Sequence, residues 1–294
     1  MKYNFKGVTS ALPTPFDQGK LDLKSFENLV MYQLKNGIDG FVVNGTTAES
    51  PTLSWEEVEA LYHCTRKLSK DTVPVIIGTS SNSTEHAVKL TKKAAALGAD
   101  AVLVAVPYFN KPPQRGLVQH FTAVAEASNT PVIVYNIPGR SVVSLTEESF
   151  LKLSEVKNIM GMKEASGDLK YAESLIKKLP SSFVKLSGDD GTYMPFLKLG
   201  GDGVISVMSN IITAKCAEWS KLAQQKNWLE AEASFNKYEK LINGMFIESN
   251  PIVPKWMLCK MGLIKSAEMR LPLVELDSKY VEQTTKLLKE FSLL

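Results

Sequence analysis

The chain is poor in the residues that build covalent or metal scaffolds. Among 294 residues it has three cysteines (Cys64, Cys216, Cys259) and three histidines (His63, His86, His120). The cysteines lie far apart with no CxxC pair, which excludes a disulfide framework and suits buried free thiols in a reducing compartment. The histidines form no HExxH-like set, so no metal site is expected. Charge of one sign is also scarce: the formal net charge is +3, too little for the basic face of a nucleic-acid or anionic-membrane binder. No apolar run approaches a membrane span, and the opening MKYNFKG lacks the apolar core of a signal peptide. The expectation is a cytoplasmic protein with no metal, nucleic-acid or membrane partner.

What the chain does have is a repeat of short apolar runs with helical stretches between them. The runs are VTSAL (8–12), FVV (41–43), VPVIIG (73–78), AVLVAV (101–106), PVIVYN (131–136), IMGMK (159–163), FVKLSG (183–188) and GVISVM (203–208). Near-continuous apolar character suits parallel strands covered on both faces. Their starts lie roughly 20 to 33 residues apart, which leaves room for one crossover helix each time. In NGIDGFVV (36–43), LGADAVLV (97–104) and LGGDGVIS (199–206) a glycine follows the helical pattern, where it can take the left-handed conformation that ends a helix. Ser54 and Glu57 read as a capping box. Eight such units over 1–224 predict an α/β fold, a (β/α)₈ TIM barrel, and the helical periodicity of 225–294 predicts a C-terminal helical appendage. A doubly wound open sheet shares the alternation. The count of eight, and the lack of a GxGxxG or GxxxxGK turn after the first strand, speak against it.

In such barrels the reactive residues stand at the carboxyl ends of strands. Alternation puts Ile159, Gly161 and Lys163 on one face, and if that face is the interior, Gly161 leaves room beneath the lysine. Apolar walls would strip the amine of solvation and make it nucleophilic; the bland reading is a strand-end lysine leaning into solvent. Lys185 is a rival, set further from its strand's end, and is assigned a structural role. Tyr135 ends its strand at a similar level, either as a proton shuttle or as a space-filling aromatic. Gly45-Thr46-Thr47 suits a carboxylate or is a plain turn. Arg140 either clamps a second carboxylate or is a solvated surface arginine.

Taken together, GTTAES, PVIIGTSSNST, PYFNKPPQRGLVQHF, YNIPGRS, GMKEASGD, LSGDD, GVISVMSN and ESNPIVPKW resemble the dihydrodipicolinate synthase / N-acetylneuraminate lyase family over essentially the whole chain. The resemblance implies a class I lyase without a resident cofactor, with pyruvate held as a covalent imine on Lys163. It implies Thr46 and Thr47 on the pyruvate carboxylate, Tyr135 as proton donor and acceptor, and main-chain contacts from Gly188 and Ile205. The PxR arginine, Arg140, implies L-aspartate 4-semialdehyde as acceptor, at the entry to lysine and diaminopimelate synthesis. The alternatives are a sugar-acid or sialic acid lyase of the same family, or a paralogue that binds keto acids without turnover. A homotetramer, a dimer of dimers with 107–113 at the tight interface, is also implied.

The chain departs from the family pattern in two places. The usual PYYN is here PYFN, so the tyrosine that completes a Thr–Tyr–Tyr relay in the neighbouring subunit is Phe109. Tyr108 beside it is expected to face the other way on a strand-like stretch. A positioned acid–base group is typically worth about 10²–10⁴ in rate. Trp55, Val58 and His86 stand where lysine-sensitive members carry His, His and Glu, which implies weak or absent inhibition by L-lysine.

Overall fold

The computed structural model describes residues 3–294. Ten strands follow in chain order: β1 (Gly7–Ala11), β2 (Phe16–Asp17), β3 (Lys20–Leu21), β4 (Gly40–Val43), β5 (Val75–Gly78), β6 (Ala101–Ala105), β7 (Val132–Asn136), β8 (Ile159–Glu164), β9 (Val184–Ser187) and β10 (Gly203–Ser206). All eight expected runs become strands, and these close into a barrel in the order β1-β10-β9-β8-β7-β6-β5-β4. Helices lie between successive strands, so the architecture is the expected (β/α)₈ TIM barrel. The barrel strands are buried almost throughout, as strands covered on both faces must be.

β2 and β3 were not expected. They form an antiparallel hairpin across Gln18 and Gly19, whose φ values of 52° and 77° are those of a two-residue primed turn, and glycine makes the second position inexpensive. The helix-ending glycines behave as read: Gly37, Gly98 and Gly200 have φ of 82°, 82° and 103°. Ser54 and Glu57 form the capping box of the helix Trp55–Ser69, worth on the order of 1 kcal/mol.

The chain divides into two compact units. One holds the described residues of Met1–Gly7 with Pro74–Ile205, the other Val8–Val73 with Ser206–Leu294. In the first, β5 to β10 pair in an unbroken parallel run. In the second, β1 pairs with β4, and the helix Trp228–Asn236 packs with the helix Thr213–Gln224. Trp219 anchors that packing: its ring meets Phe235 and Tyr238 edge-on at 5.1 and 5.3 Å, and its indole N–H donates to Ser234 Oγ at 2.9 Å. Such aromatic pairs add about 0.5–1.5 kcal/mol beyond area burial.

The three cysteines are free. Only Cys216 is fully buried; half-buried Cys64 has its thiol pushed up to about 11 by burial, which keeps it unreactive at neutral pH. No helix among the described residues is long and apolar enough to cross a membrane.

Candidate active site

Lys163 is the next-to-last residue of β8, flanked in register by Tyr135 of β7 and Leu186 of β9. Only 6% of it is exposed, and its Nζ lies 4.2 Å from the centre of the Tyr135 ring. Burial lowers its pKa to about 7; the Asp190 carboxylate opposes that shift and the Arg140 guanidinium adds to it. An amine near neutrality is available as a nucleophile at physiological pH, which an ordinary lysine is not.

The space around the lysine differs in detail from the expectation. The β7–β8 register slips at Met160, because Val132 pairs with Ile159 but Ile133 with Gly161. Gly161 and Lys163 therefore keep step with Ile133 and Tyr135, while Ile159 leaves that face. A Cβ on Gly161 would lie 2.5 Å from the Val184 carbonyl oxygen, so this glycine permits close approach of β9 and is not the source of room beneath the lysine. That room is at Gly188, where a Cβ would lie 2.6 Å from Lys163 Cε and 2.9 Å from its Cγ. The Gly188 N–H donates to the Glu164 carbonyl, which fixes the loop against the end of β8.

The other expected site residues fall as follows. Tyr135 is 5% exposed. Arg140 lies on the short helix Pro138–Ser141 that follows β7 and is exposed, with its charge felt at Lys163. Ile205 is buried in β10. Thr46 and Thr47 begin a 3₁₀ turn just past the carboxyl end of β4; Thr47 is buried, and its hydroxyl accepts from Asn250 Nδ2 at 3.0 Å. Lys185 has the structural role expected of it, its Nζ donating to the carbonyls of Pro180 and Phe183 at 2.8 and 2.7 Å.

Tyr108 and Phe109 depart from the expected extended stretch. Phe109 has φ of 74° and the Asn110 N–H turns back to the Tyr108 carbonyl at 2.9 Å, so the chain forms a tight loop after β6. Both rings point outward, Phe109 being 89% exposed.

Sequence reasoning left three features without a role. One is Asp190, whose charge faces Lys163; LSGDD contains it, but only the fold shows which aspartate does so. The others are Glu164 and Asn136, each one residue past a site residue and on the opposite face of its strand.

A closed parallel barrel that buries one near-neutral lysine beside a phenol at the carboxyl end of a strand defines a barrel enzyme armed with an amine nucleophile. The comparisons with known proteins narrow that class: the chain belongs to the dihydrodipicolinate synthetase family, whose model matches residues 4–291. A curated relative from Bdellovibrio bacteriovorus, named 4-hydroxy-tetrahydrodipicolinate synthase, is 49% identical over 287 residues, covering 98% of this chain and 97% of the relative. The crystal structure of dihydrodipicolinate synthase from Thermotoga maritima superposes with a TM-score of 0.96 at 42% identity, covering 99% of both chains. The chloride-inhibited enzyme from Acinetobacter baumannii, solved with pyruvate, has a TM-score of 0.96 at 41% identity, covering 99% of this chain and 100% of that one.

Proposed function

We propose that this chain condenses pyruvate with L-aspartate 4-semialdehyde to 4-hydroxy-tetrahydrodipicolinate, the entry step to lysine and diaminopimelate, through an imine on Lys163. The observation that carries the reading is the buried lysine with a pKa of about 7 beside the Tyr135 ring. The neutral amine adds to the keto carbon, and loss of water leaves an iminium. That cation draws electrons from the adjacent methyl, which gives up a proton to form an enamine. The enamine carbon then attacks the aldehyde carbon, whose oxygen takes a proton to become the 4-hydroxyl. The acceptor's own amino group adds to the regenerated iminium carbon, closing the ring and expelling the Lys163 amine. Tyr135 passes protons to and from these centres, and no resident cofactor is required. Thr46 and Thr47 take the pyruvate carboxylate, with Gly188 and Ile205 lining its pocket. Exposed Arg140 offers a fork to the carboxylate of the incoming aldehyde. The relatives' names lend nothing to a sugar-acid or sialic acid alternative. A panel of aldehyde acceptors tests the reading: aspartate semialdehyde alone should give rapid pyruvate consumption, and a preference for sugar aldehydes would overturn it.

Gly188→Ala would push a methyl into the Lys163 side chain, and a displacement of about 1 Å can lower rate roughly 10²-fold. Imine formation, followed by borohydride trapping of pyruvate, is expected to slow by that order while the fold persists. Trapping at the wild-type rate would show that the lysine needs no such space.

An almost fully exposed Phe109 ring in a single chain supports assembly with a second copy, and we read the functional unit as a homotetramer. With Phe109 in place of a hydroxyl donor, Phe109→Tyr is expected to raise kcat several-fold; an unchanged or lower value in the steady-state assay would mean that the hydroxyl is not needed. A weak or absent response to L-lysine and a cytoplasmic location complete the reading, the latter supported by three free cysteines.

A further inference from the structure

Lys163 and Tyr135 share one face of the barrel wall, so the residues that follow them, Glu164 and Asn136, share the opposite face and pair in register. Both are almost completely buried, at 3% and 0% exposure. Asn136 Nδ2 donates to Glu164 Oε2 at 2.7 Å, and the Ser166 N–H donates to Oε1 at 2.6 Å. Burial raises the Glu164 pKa, and the bonds from Ser166 and Asn136 pull it back. A buried carboxylate stabilises a wall less well than an apolar side chain of the same size, so its presence calls for a geometric reason.

That reason lies in the Asn136 amide. Because its N–H₂ end must face the carboxylate, its carbonyl end faces the loop beyond, where Oδ1 accepts from the Leu145 N–H at 3.0 Å. Asn136 Nδ2 also donates to Ser144 Oγ at 3.0 Å. The same short segment is gripped from its other side by Gln114, whose Nε2 donates to the Ser144 carbonyl at 2.8 Å and whose Oε1 accepts from the Thr146 N–H at 3.0 Å. Tyr171 adds a bond from its hydroxyl to the Leu145 carbonyl. Residues 137–143 thus run between two fixed points, the end of β7 and the clamp at 144–146, and Arg140 sits on that span.

We propose that Glu164 and Asn136 are positioning residues for the acceptor aldehyde: their pair on the outer face of the wall fixes the 137–145 loop and so holds Arg140 where it receives the acceptor's carboxylate. This rests on the function proposed above. The two side chains face away from the Lys163 amine, so their pair governs the second substrate and leaves the first alone.

The test is Glu164→Gln, which keeps size and burial but lets the two amides pair in either orientation, together with Asn136→Ala. Steady-state KM for aspartate semialdehyde is expected to rise roughly 10-fold or more, with KM for pyruvate within about 2-fold of wild type and borohydride trapping of pyruvate on Lys163 unchanged. In an Arg140→Ala background, Glu164→Gln should add little further to the semialdehyde KM, because the two would act through one contact. Equal losses on both substrates, a lowered Tm with both KM values unchanged, or fully additive effects with Arg140→Ala would each overturn the proposal. A wild-type protein that consumes no aspartate semialdehyde would defeat the functional reading itself, and the inference with it, before any variant is compared.

Discussion

Borohydride added to the protein with pyruvate is expected to leave a reduced three-carbon adduct on Lys163, and the initial rate of trapping should rise with pH and level off above about 7. Only the neutral amine attacks a carbonyl. With a pKa lowered to about 7, roughly one tenth of the lysine is neutral at pH 6 and roughly nine tenths at pH 8. A lysine at its ordinary value would instead gain about tenfold per pH unit up to 9 or beyond, so an unbroken climb to pH 9, or an unmodified Lys163, sinks the assignment. Lys163→Met is expected to lower kcat on the order of 10⁴–10⁶-fold, as loss of a covalent nucleophile does. The same burial that activates the amine carries a stability penalty. Between about pH 7 and the unfolded value the unfolded chain holds a proton that the folded chain does not. Stability therefore rises with pH across that window, and the penalty is fully present below it. Lys163→Met should accordingly be neutral or stabilising by Tm at pH 6 while abolishing turnover. A variant that lost both would indicate a lysine held for packing.

What the sequence made legible was what local rules decide. Each barrel strand declared itself by an apolar run of its own, and each helix end at Gly37, Gly98 or Gly200 by a glycine with a left-handed φ. Lys163 and Tyr135 could be aligned because a two-residue period is short and both strands end at a recognisable polar turn. The slip at Met160 was not legible, since a bulge is set by the partner strand. Nor was the role of Gly188: its missing Cβ matters only because Lys163, 25 residues earlier in the sequence, passes over it. The Glu164–Asn136 pair was hidden for a similar reason. The face opposite a site residue looks like ordinary strand until the loop packed on it is known. The hairpin at Gln18–Gly19 is a different case, because a glycine at the second turn position between FD and KL is itself a local sign of a two-residue turn.

The second large effect is expected at a buried ion pair distant in sequence from the lysine. Glu49 directly follows the Thr46–Ala48 turn and is held at φ 58°. Its Oε1 accepts from Lys255 Nζ at 2.7 Å, with both side chains at 0% exposure, and its Oε2 accepts from the Arg270 N–H at 2.9 Å. Lys255 also donates to the Glu268 carbonyl and lies 4.5 Å over the Phe16 ring, while burial pulls its pKa down against the attraction of Glu49. Removing one partner leaves the other charge buried without compensation, which destabilises by about 3–5 kcal/mol. For a chain of 294 residues that corresponds to a Tm loss of roughly 5–8 °C. Lys255→Met is expected to show this loss by calorimetry, and to raise KM for pyruvate as the turn carrying Thr46 and Thr47 loosens. Glu49→Gln/Lys255→Met, which removes both charges and keeps an acceptor for the Arg270 N–H, should recover most of the stability. A loss below about 1 kcal/mol in Lys255→Met would show that water reaches the pair and screens it. A double variant no more stable than the single one would show that Lys255 acts through its packing on Phe16 and its bond to Glu268, with the charge of Glu49 contributing little.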